Sequence, residues 1–400
     1  MESKPVVGHL AHTYLILTGS WIYHQLTGLR RYHPVVMTRL IQNFEQFPLN
    51  DVFSFPWPLQ HYRYLGKLVR EFDELIVGHR LREYTEKLFE EKAVLLHAHF
   101  GFEGYQNLKV ARVLQLPMIT TFYGLDVSML PKSKPIWQKR YQKLFADGDY
   151  FLAEGPFMAQ SLVDLGCPPS KVCVQHLGVN LQRILFRERV RLPDEPVRFL
   201  MAASFREKKG IPLAIEAFSN AFRKFKQMEL HIIGGANSED EIQLFNHCKT
   251  LVRQNDMTEH VHFLGYLTYE QYLHEIEQAH IFLAPSITAQ NGDTEGGAPV
   301  SVIEASASGL PVIASRHCDI PDVIEDGQGG VLVNERDIAG LSRSMLELAT
   351  SQEQWPEMGR VGRRHIETEY DGCTQVSRLE DIYDAVSGCQ RPFVQENIND

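Results

Sequence analysis

Asp293-Thr294-Glu295-Gly296-Gly297-Ala298-Pro299-Val300-Ser301-Val302-Ile303-Glu304-Ala305 follows a short apolar run, Ile281-Phe282-Leu283-Ala284, and leads into a second one, Pro311-Val312-Ile313-Ala314. The order reads strand, polar loop, glycines, helix, strand. Glycines let backbone N–H groups approach an anion, and a helix opening near Pro299 aims its unpaired N–H groups at the same point. A phosphate seat is therefore expected at Gly296, Gly297, Val300 and Ser301. Glu304, within the first turns of that helix, suits a ribose diol, and Glu295 in the loop can reach a sugar. A glycine turn with a capping acid before an ordinary helix is the plain alternative. Two acids, two glycines and the strand–loop–helix context together favour a ligand.

The same alternation runs outward in both directions. Strands are expected at 6–11, 34–38, 94–100, 118–123, 150–153 and 171–177, with helical patterns at 61–92, 106–116, 134–146 and 156–165. The second half repeats the plan with strands at 197–203, 229–233, 260–264, 281–284, 311–314 and 330–333. Strands alternating with helices predict βαβ units and parallel sheets. The chain has 400 residues, more than one core usually serves. A charged, proline-punctuated stretch at 180–196 marks the break. Two Rossmann-like domains follow, 1–188 and 189–370, with a terminal helix at 371–390 that could cross back and a flexible tail at 391–400.

Composition narrows the class. An apolar share of 44% with 22% charged residues is that of a folded globular chain rather than a disordered one. No apolar stretch is long enough to span a membrane, and polar residues interrupt the N-terminus too early for a signal peptide. The six cysteines form no Cys-x-x-Cys pair and read as reduced thiols, so a cytoplasmic chain is expected. Residues 1–188 carry 21 Lys+Arg against 17 Asp+Glu, whereas the remainder carries 19 against 33. A basic first half on an acidic chain suits an anionic neighbour there, such as the inner membrane surface in peripheral contact, or a merely solvated face. Nucleic acid is not expected, because no dense basic cluster with interleaved aromatics occurs.

Further candidates sit at predicted strand ends. Ser204-Phe205-Arg206-Glu207-Lys208-Lys209-Gly210 follows the first strand of the second half. His97-Ala98-His99-Phe100-Gly101 and Thr120-Thr121-Phe122-Tyr123-Gly124-Leu125-Asp126 close strands of the first. Gly19 opens the helix after the first strand. Asp147-Gly148-Asp149 spells a D-x-D metal motif but precedes a strand as an ordinary turn would, so no metal is assigned to it.

Taken together these segments resemble the retaining family-4 glycosyltransferases of the GT-B fold (glycosyl transferases group 1). The resemblance rests on two glutamates flanking the phosphate loop, on Glu304-Ala305 through Ala314 as EAxAxGxPVIA, and on Asp319-Ile320-Pro321-Asp322-Val323-Ile324 with Asp326-Gly327. It implies two facing Rossmann-like domains with a donor cleft between them. It also implies Arg206 and Lys209 on the donor diphosphate, Glu304 on the ribose and Glu295 on the sugar. His99 and Asp126 would act at the reaction centre, with Gly19 and Tyr123 on the acceptor side. The expected reaction is retaining hexosyl transfer from a UDP- or GDP-sugar to a carbohydrate, lipid-linked or small-molecule acceptor, without cofactor or metal. The chain departs from the family in three places. Eight residues rather than seven separate Glu295 from Glu304, Ser204 stands where the family has arginine, and Tyr123 stands where it has histidine. A sugar-nucleotide epimerase of the same fold and a non-catalytic nucleotide-sugar binder remain alternatives. A dinucleotide dehydrogenase is disfavoured, since no G-x-G-x-x-G follows a strand.

Overall fold

The computed structural model describes residues 4–16, 19–55 and 73–388, with side chains of 73–80 not described. Two units emerge. The first comprises the chain up to Glu154, Met158–Gly178 and the chain from Gly372 on; the second comprises Gly155–Phe157 and Val179–Asp371. The chain thus leaves the first unit at Gly178, upstream of residue 188.

Seven parallel strands build the first unit: β1 (Val6–Tyr14), β2 (His33–Ile41), β3 (Val52–Ser54), β4 (Ala93–His99), β5 (Met118–Thr121), β6 (Tyr150–Ala153) and β7 (Val172–Val174). Their order is β3-β2-β1-β4-β5-β6-β7. The three-residue β3 lacks a readable period, which is why sequence patterning misses it. The central strands are buried on both faces and read as near-continuous apolar runs. Of the helical pattern at 61–92, Asp73–Glu90 is a helix and the first part lies outside the described residues, as does the tail at 391–400. The pattern at 134–146 corresponds to the helix Ile136–Asp147, and a short helix, Met129–Ser133, precedes it, separated by Lys134 and by Pro135, which cannot donate to a continuous ladder. The last helix, Gly372–Ser387, packs on the first sheet through Leu379, Ile382 and Tyr383. Arg31 secures it by ion pairs to Asp381, Glu380 and Asp384.

Six parallel strands build the second unit: β8 (Val197–Ala202), β9 (Met228–Ile233), β10 (Val261–Gly265), β11 (Ile281–Ala284), β12 (Val312–Ser315) and β13 (Gly330–Val333). Their order is β10-β9-β8-β11-β12-β13. The amphipathic helices Ile211–Phe222 and Ile338–Thr350 bury Phe218, Ile215, Leu341 and Met345 against one face. The helices Tyr269–Gln278 and Val300–Ala307 cover the other. Both faces being covered, the parallel sheet hides its backbone polar groups from water.

Candidate functional site

In the second sheet the strand order reverses between β8 and β11, and in open parallel sheets a ligand crevice lies outside the carboxyl ends at such a switch. Both sequence motifs leave from these two strands. After β8, residues Glu207–Lys209 form a single 3-10 turn closed by Gly210 at φ +64°. A Cβ on Gly210 would stand 2.0 Å from the Pro285 carbonyl oxygen, so only glycine lets this turn lie against the segment after β11. The Ile287 N–H donates to the Lys208 carbonyl at 2.8 Å and closes the contact.

Three cations and two acids meet across that contact. Arg206 Nη2 donates to Asp293 Oδ2 at 2.5 Å. Lys208 Nζ donates to the Thr294 carbonyl at 2.7 Å and to Asp293 Oδ1 at 3.4 Å. Lys209 Nζ lies 2.8 Å from Glu295 Oε1 and 2.9 Å from Oε2, and the Ser286 hydroxyl donates to Oε1 at 2.8 Å. Burial opposes ionisation of Glu295, yet Lys209, Lys208 and Ser286 outweigh it and hold the carboxyl at about 2. Burial is also the largest effect on Lys209, lowering its ammonium below the ordinary value against the pull of Glu295.

A further layer positions Glu295. Its backbone N–H donates to His317 Nε2 at 3.1 Å, so that nitrogen carries the lone pair and the ring proton sits on Nδ1. Nδ1 in turn donates to Glu335 Oε1 at 2.7 Å, and Glu335 also accepts the Thr288 N–H at 2.8 Å. Between the two glutamates Gly296 turns at φ +79°, and the Glu295 carboxylate meets Lys209. Arg206, two positions past the family's arginine, reaches the same loop through Asp293.

Pro299 is the extended N-cap of the helix Val300–Ala307, whose first N–H groups, at Val300 and Ser301, have no acceptor a turn earlier. Gly297 precedes it. Glu304, 7% exposed, lies one turn into this helix and accepts from the Tyr269 hydroxyl at 2.9 Å. Burial raises its carboxyl to about 7, against the hydroxyls of Tyr272 and Tyr269. The Arg183 guanidinium stacks 4.7 Å from the centre of the Tyr269 ring. Tyr269, Arg183, Lys208, Asp293, Ser286, His317 and Glu335 were not singled out in the sequence. Only Lys208, beside Lys209, and Asp293, at the head of the glycine loop, carried a readable signal.

The first unit holds its candidates at the ends of β4 and β5. His99 is buried, its Nδ1 bonded to the Tyr123 hydroxyl at 2.7 Å and its Nε2 to His9 Nδ1 at 3.1 Å. Burial lowers it to about 3, so it is neutral. His97 bridges the Tyr383 hydroxyl and Thr121 Oγ1 at 2.6 and 2.7 Å. Asp126 is also buried and accepts the N–H groups of Gly101 at 2.7 Å and Tyr123 at 2.9 Å. Burial pushes it up to about 6 despite those bonds. Both residues therefore join the segment after β4 to the segment after β5. Gly19 caps the helix Ser20–Gly28, its N–H donating to the Ile16 carbonyl at 2.8 Å. In the D-x-D run, Asp147 pairs with Arg112 at 3.0 Å and Asp149 accepts the Met118 N–H at 2.8 Å, as turn residues do.

Comparison with known proteins bears on the family and the fold. The model of the "Glycosyltransferase Family 4" domain matches residues 24–183, and that of "Glycosyl transferases group 1" matches residues 182–365. The chain is 32% identical over 294 residues to the amylovoran biosynthesis glycosyltransferase AmsK of Erwinia amylovora, covering 72% of this chain and 69% of that one. It is 27% identical over 175 residues, 44% of each chain, to a GDP-mannose-dependent monoacylated phosphatidylinositol monomannoside mannosyltransferase of Corynebacterium glutamicum. Among solved structures, Anabaena HepE in complex with UDP and glucose superposes with a TM-score of 0.77 at 13% identity, covering 95% of this chain and 100% of that one. With two doubly wound sheets, a cationic turn opposite a glycine loop and relatives of this kind, the chain belongs to the family-4 glycosyltransferases of the GT-B fold.

Proposed function

We propose that this glycosyltransferase moves a hexose, with retention, from a nucleoside-diphosphate sugar to a hydroxyl of a growing polysaccharide or its lipid-linked precursor. The observation that carries this reading is the cluster of Arg206, Lys208 and Lys209 at the β8–β11 switch, opposite a glycine loop that opens a helix. Lys209 and Arg206 turn from Glu295 and Asp293 toward the diphosphate. The Val300 and Ser301 amides receive a phosphate oxygen, and Gly296 and Gly297 leave room for it. Glu304 accepts from the ribose diol, and Glu295, relieved of part of its ion pair, from sugar hydroxyls.

As the C1–O bond to the diphosphate breaks, negative charge grows on the leaving oxygen and two fixed cations stabilise it. The acceptor oxygen bonds C1 from the same face and its proton passes to the leaving phosphate, so no covalent enzyme intermediate is required. Lys209 and Arg206 do the neutralising that a divalent ion does elsewhere, which supports metal-independent transfer. In this reading His99 and Asp126 hold the Tyr123 loop in shape rather than exchange protons with substrate. AmsK, by its name, serves amylovoran biosynthesis, which supports a polysaccharide acceptor here. Relatives associated with GDP-mannose and with UDP and glucose leave the base to experiment. Among the described residues no helix is long and apolar enough to cross a membrane. The basic first half supports peripheral contact with an anionic membrane surface.

The test is incubation with UDP-, GDP- and ADP-sugars in turn, with acceptor oligosaccharides or lipid-linked sugars. NMR of the product anomer and the release of free nucleoside diphosphate are followed. One donor class giving product of unchanged anomeric configuration is expected. An inverted product defeats the retaining assignment, and tight donor binding without turnover on any acceptor favours the non-catalytic binder.

A further inference from the structure

Toward the β10 edge of the second sheet, away from the β8–β11 switch, a second constellation has no part in the donor site. Glu229 and His231 stand two residues apart on β9 and so project from the same face. His262 on β10 is the register partner of His231, and their rings meet edge to face at 4.9 Å. One ligand atom from each of Glu229, His231 and His262 lies within 4.8 Å of the others. Glu275, from the helix Tyr269–Gln278, accepts from His231 Nδ1 at 3.1 Å.

That bond sets the tautomer. With its proton on Nδ1, His231 directs the Nε2 lone pair at Glu229 Oε2, 3.6 Å away. His231 Nε2 and Glu229 Oε2 therefore face each other across a gap that a cation can bridge. Arg198 meets this only in part, its Nε lying 3.9 Å from Glu229 Oε2. Two imidazoles and a carboxylate, with a carboxylate behind one imidazole, form the donor set and outer-shell pattern of zinc-class sites. Bonds near 2.1 Å in a tetrahedron put neighbouring ligand atoms about 3.4 Å apart, close to the 3.6 Å that separates His231 Nε2 from Glu229 Oε2.

We propose that Glu229, His231 and His262 bind a divalent ion of the zinc class, with Glu275 orienting His231, as a clip joining β9, β10 and the helix Tyr269–Gln278. β10 is the edge of its sheet, and a metal bond there would secure it. The ion serves structure and lies apart from the Lys209–Glu295 cluster.

Metal-free full-length protein is titrated with Zn²⁺ by calorimetry, and with Co²⁺ to record its visible d–d bands. One equivalent with a tetrahedral Co²⁺ spectrum is expected. His231→Ala and His262→Ala should each weaken Zn²⁺ by at least about 100-fold, and Glu275→Gln by about 10–100-fold. Glu275→Gln keeps both rings and the sheet, so it decides the matter should an alanine variant fail to fold. Absence of binding overturns the proposal. So does one equivalent held equally well by all three variants, which would assign the metal to another cluster such as His9, His97 and His99.

Discussion

Glu304→Gln separates the two demands made on the residue that is to hold the ribose. In the folded chain Glu304 is buried and its carboxyl is raised from 4.5 to about 7. Because the folded state binds this proton more tightly than the unfolded chain, the associated stability is fully present below pH 4.5 and is lost as the pH rises through 7. At 1.36 kcal/mol per pH unit, that interval corresponds to about 3 kcal/mol. Glutamine has the same shape, carries no charge and keeps an oxygen for the Tyr269 hydroxyl. Glu304→Gln should therefore match the parent protein in stability near pH 4.5 and exceed it by about 3 kcal/mol at pH 8. Urea unfolding of both proteins from pH 4.5 to 8.5 measures the difference directly. Donor affinity should move the other way, falling by about 1–3 kcal/mol with the loss of a charged acceptor. A stability difference that stays flat across the pH range would falsify the buried-carboxyl account. Unchanged donor affinity in the folded variant would remove Glu304 from the ribose.

Other substitutions test other parts of the site. Lys209→Ala should lower kcat by roughly 10²–10³-fold with a smaller change in KM, because its charge acts mainly on the departing diphosphate. Arg206→Ala should approach that loss; a slight effect would make Arg206 a partner of Asp293 only. Gly210→Ala forces a side chain into φ +64° against the Pro285 carbonyl, so chemical denaturation should report at least about 2 kcal/mol of lost stability together with reduced turnover. Asp126→Asn can accept only one of its two backbone N–H bonds and should cost about 1–3 kcal/mol, and full stability would discount the loop clamp. Transfer should continue in EDTA at an unchanged kcat, although removal of a zinc-class ion from β9 and β10 should lower the melting temperature. Loss of turnover restored by Mg²⁺ or Mn²⁺ would count against the Lys209–Arg206 clamp.

What the chain determines locally was readable. Short β-branched and apolar runs alternate with 3.6-period stretches, so nearly every strand of both sheets, and their parallel class, follow from neighbours in sequence. Glycines that permit a left-handed backbone, such as Gly296 and Gly210, marked the two loops for the same reason. Pairing across distance was not readable. Lys208 finds Asp293 and Thr294, and His317 finds Glu295 and Glu335, only because β8, β11, β12 and β13 are successive neighbours in the sheet. The partners of His99 were not readable either. The register that sets β1 beside β4 brings His9 onto its Nε2, and Tyr123 from the loop after β5 takes its Nδ1. The final helix could have joined either unit by its pattern, and Arg31, Tyr32 and His97, far away in sequence, decide for the first. Helix and strand preferences are written in residues a few positions apart, whereas the charge and hydrogen-bond state of a side chain depends on strand order, which only the folded chain establishes.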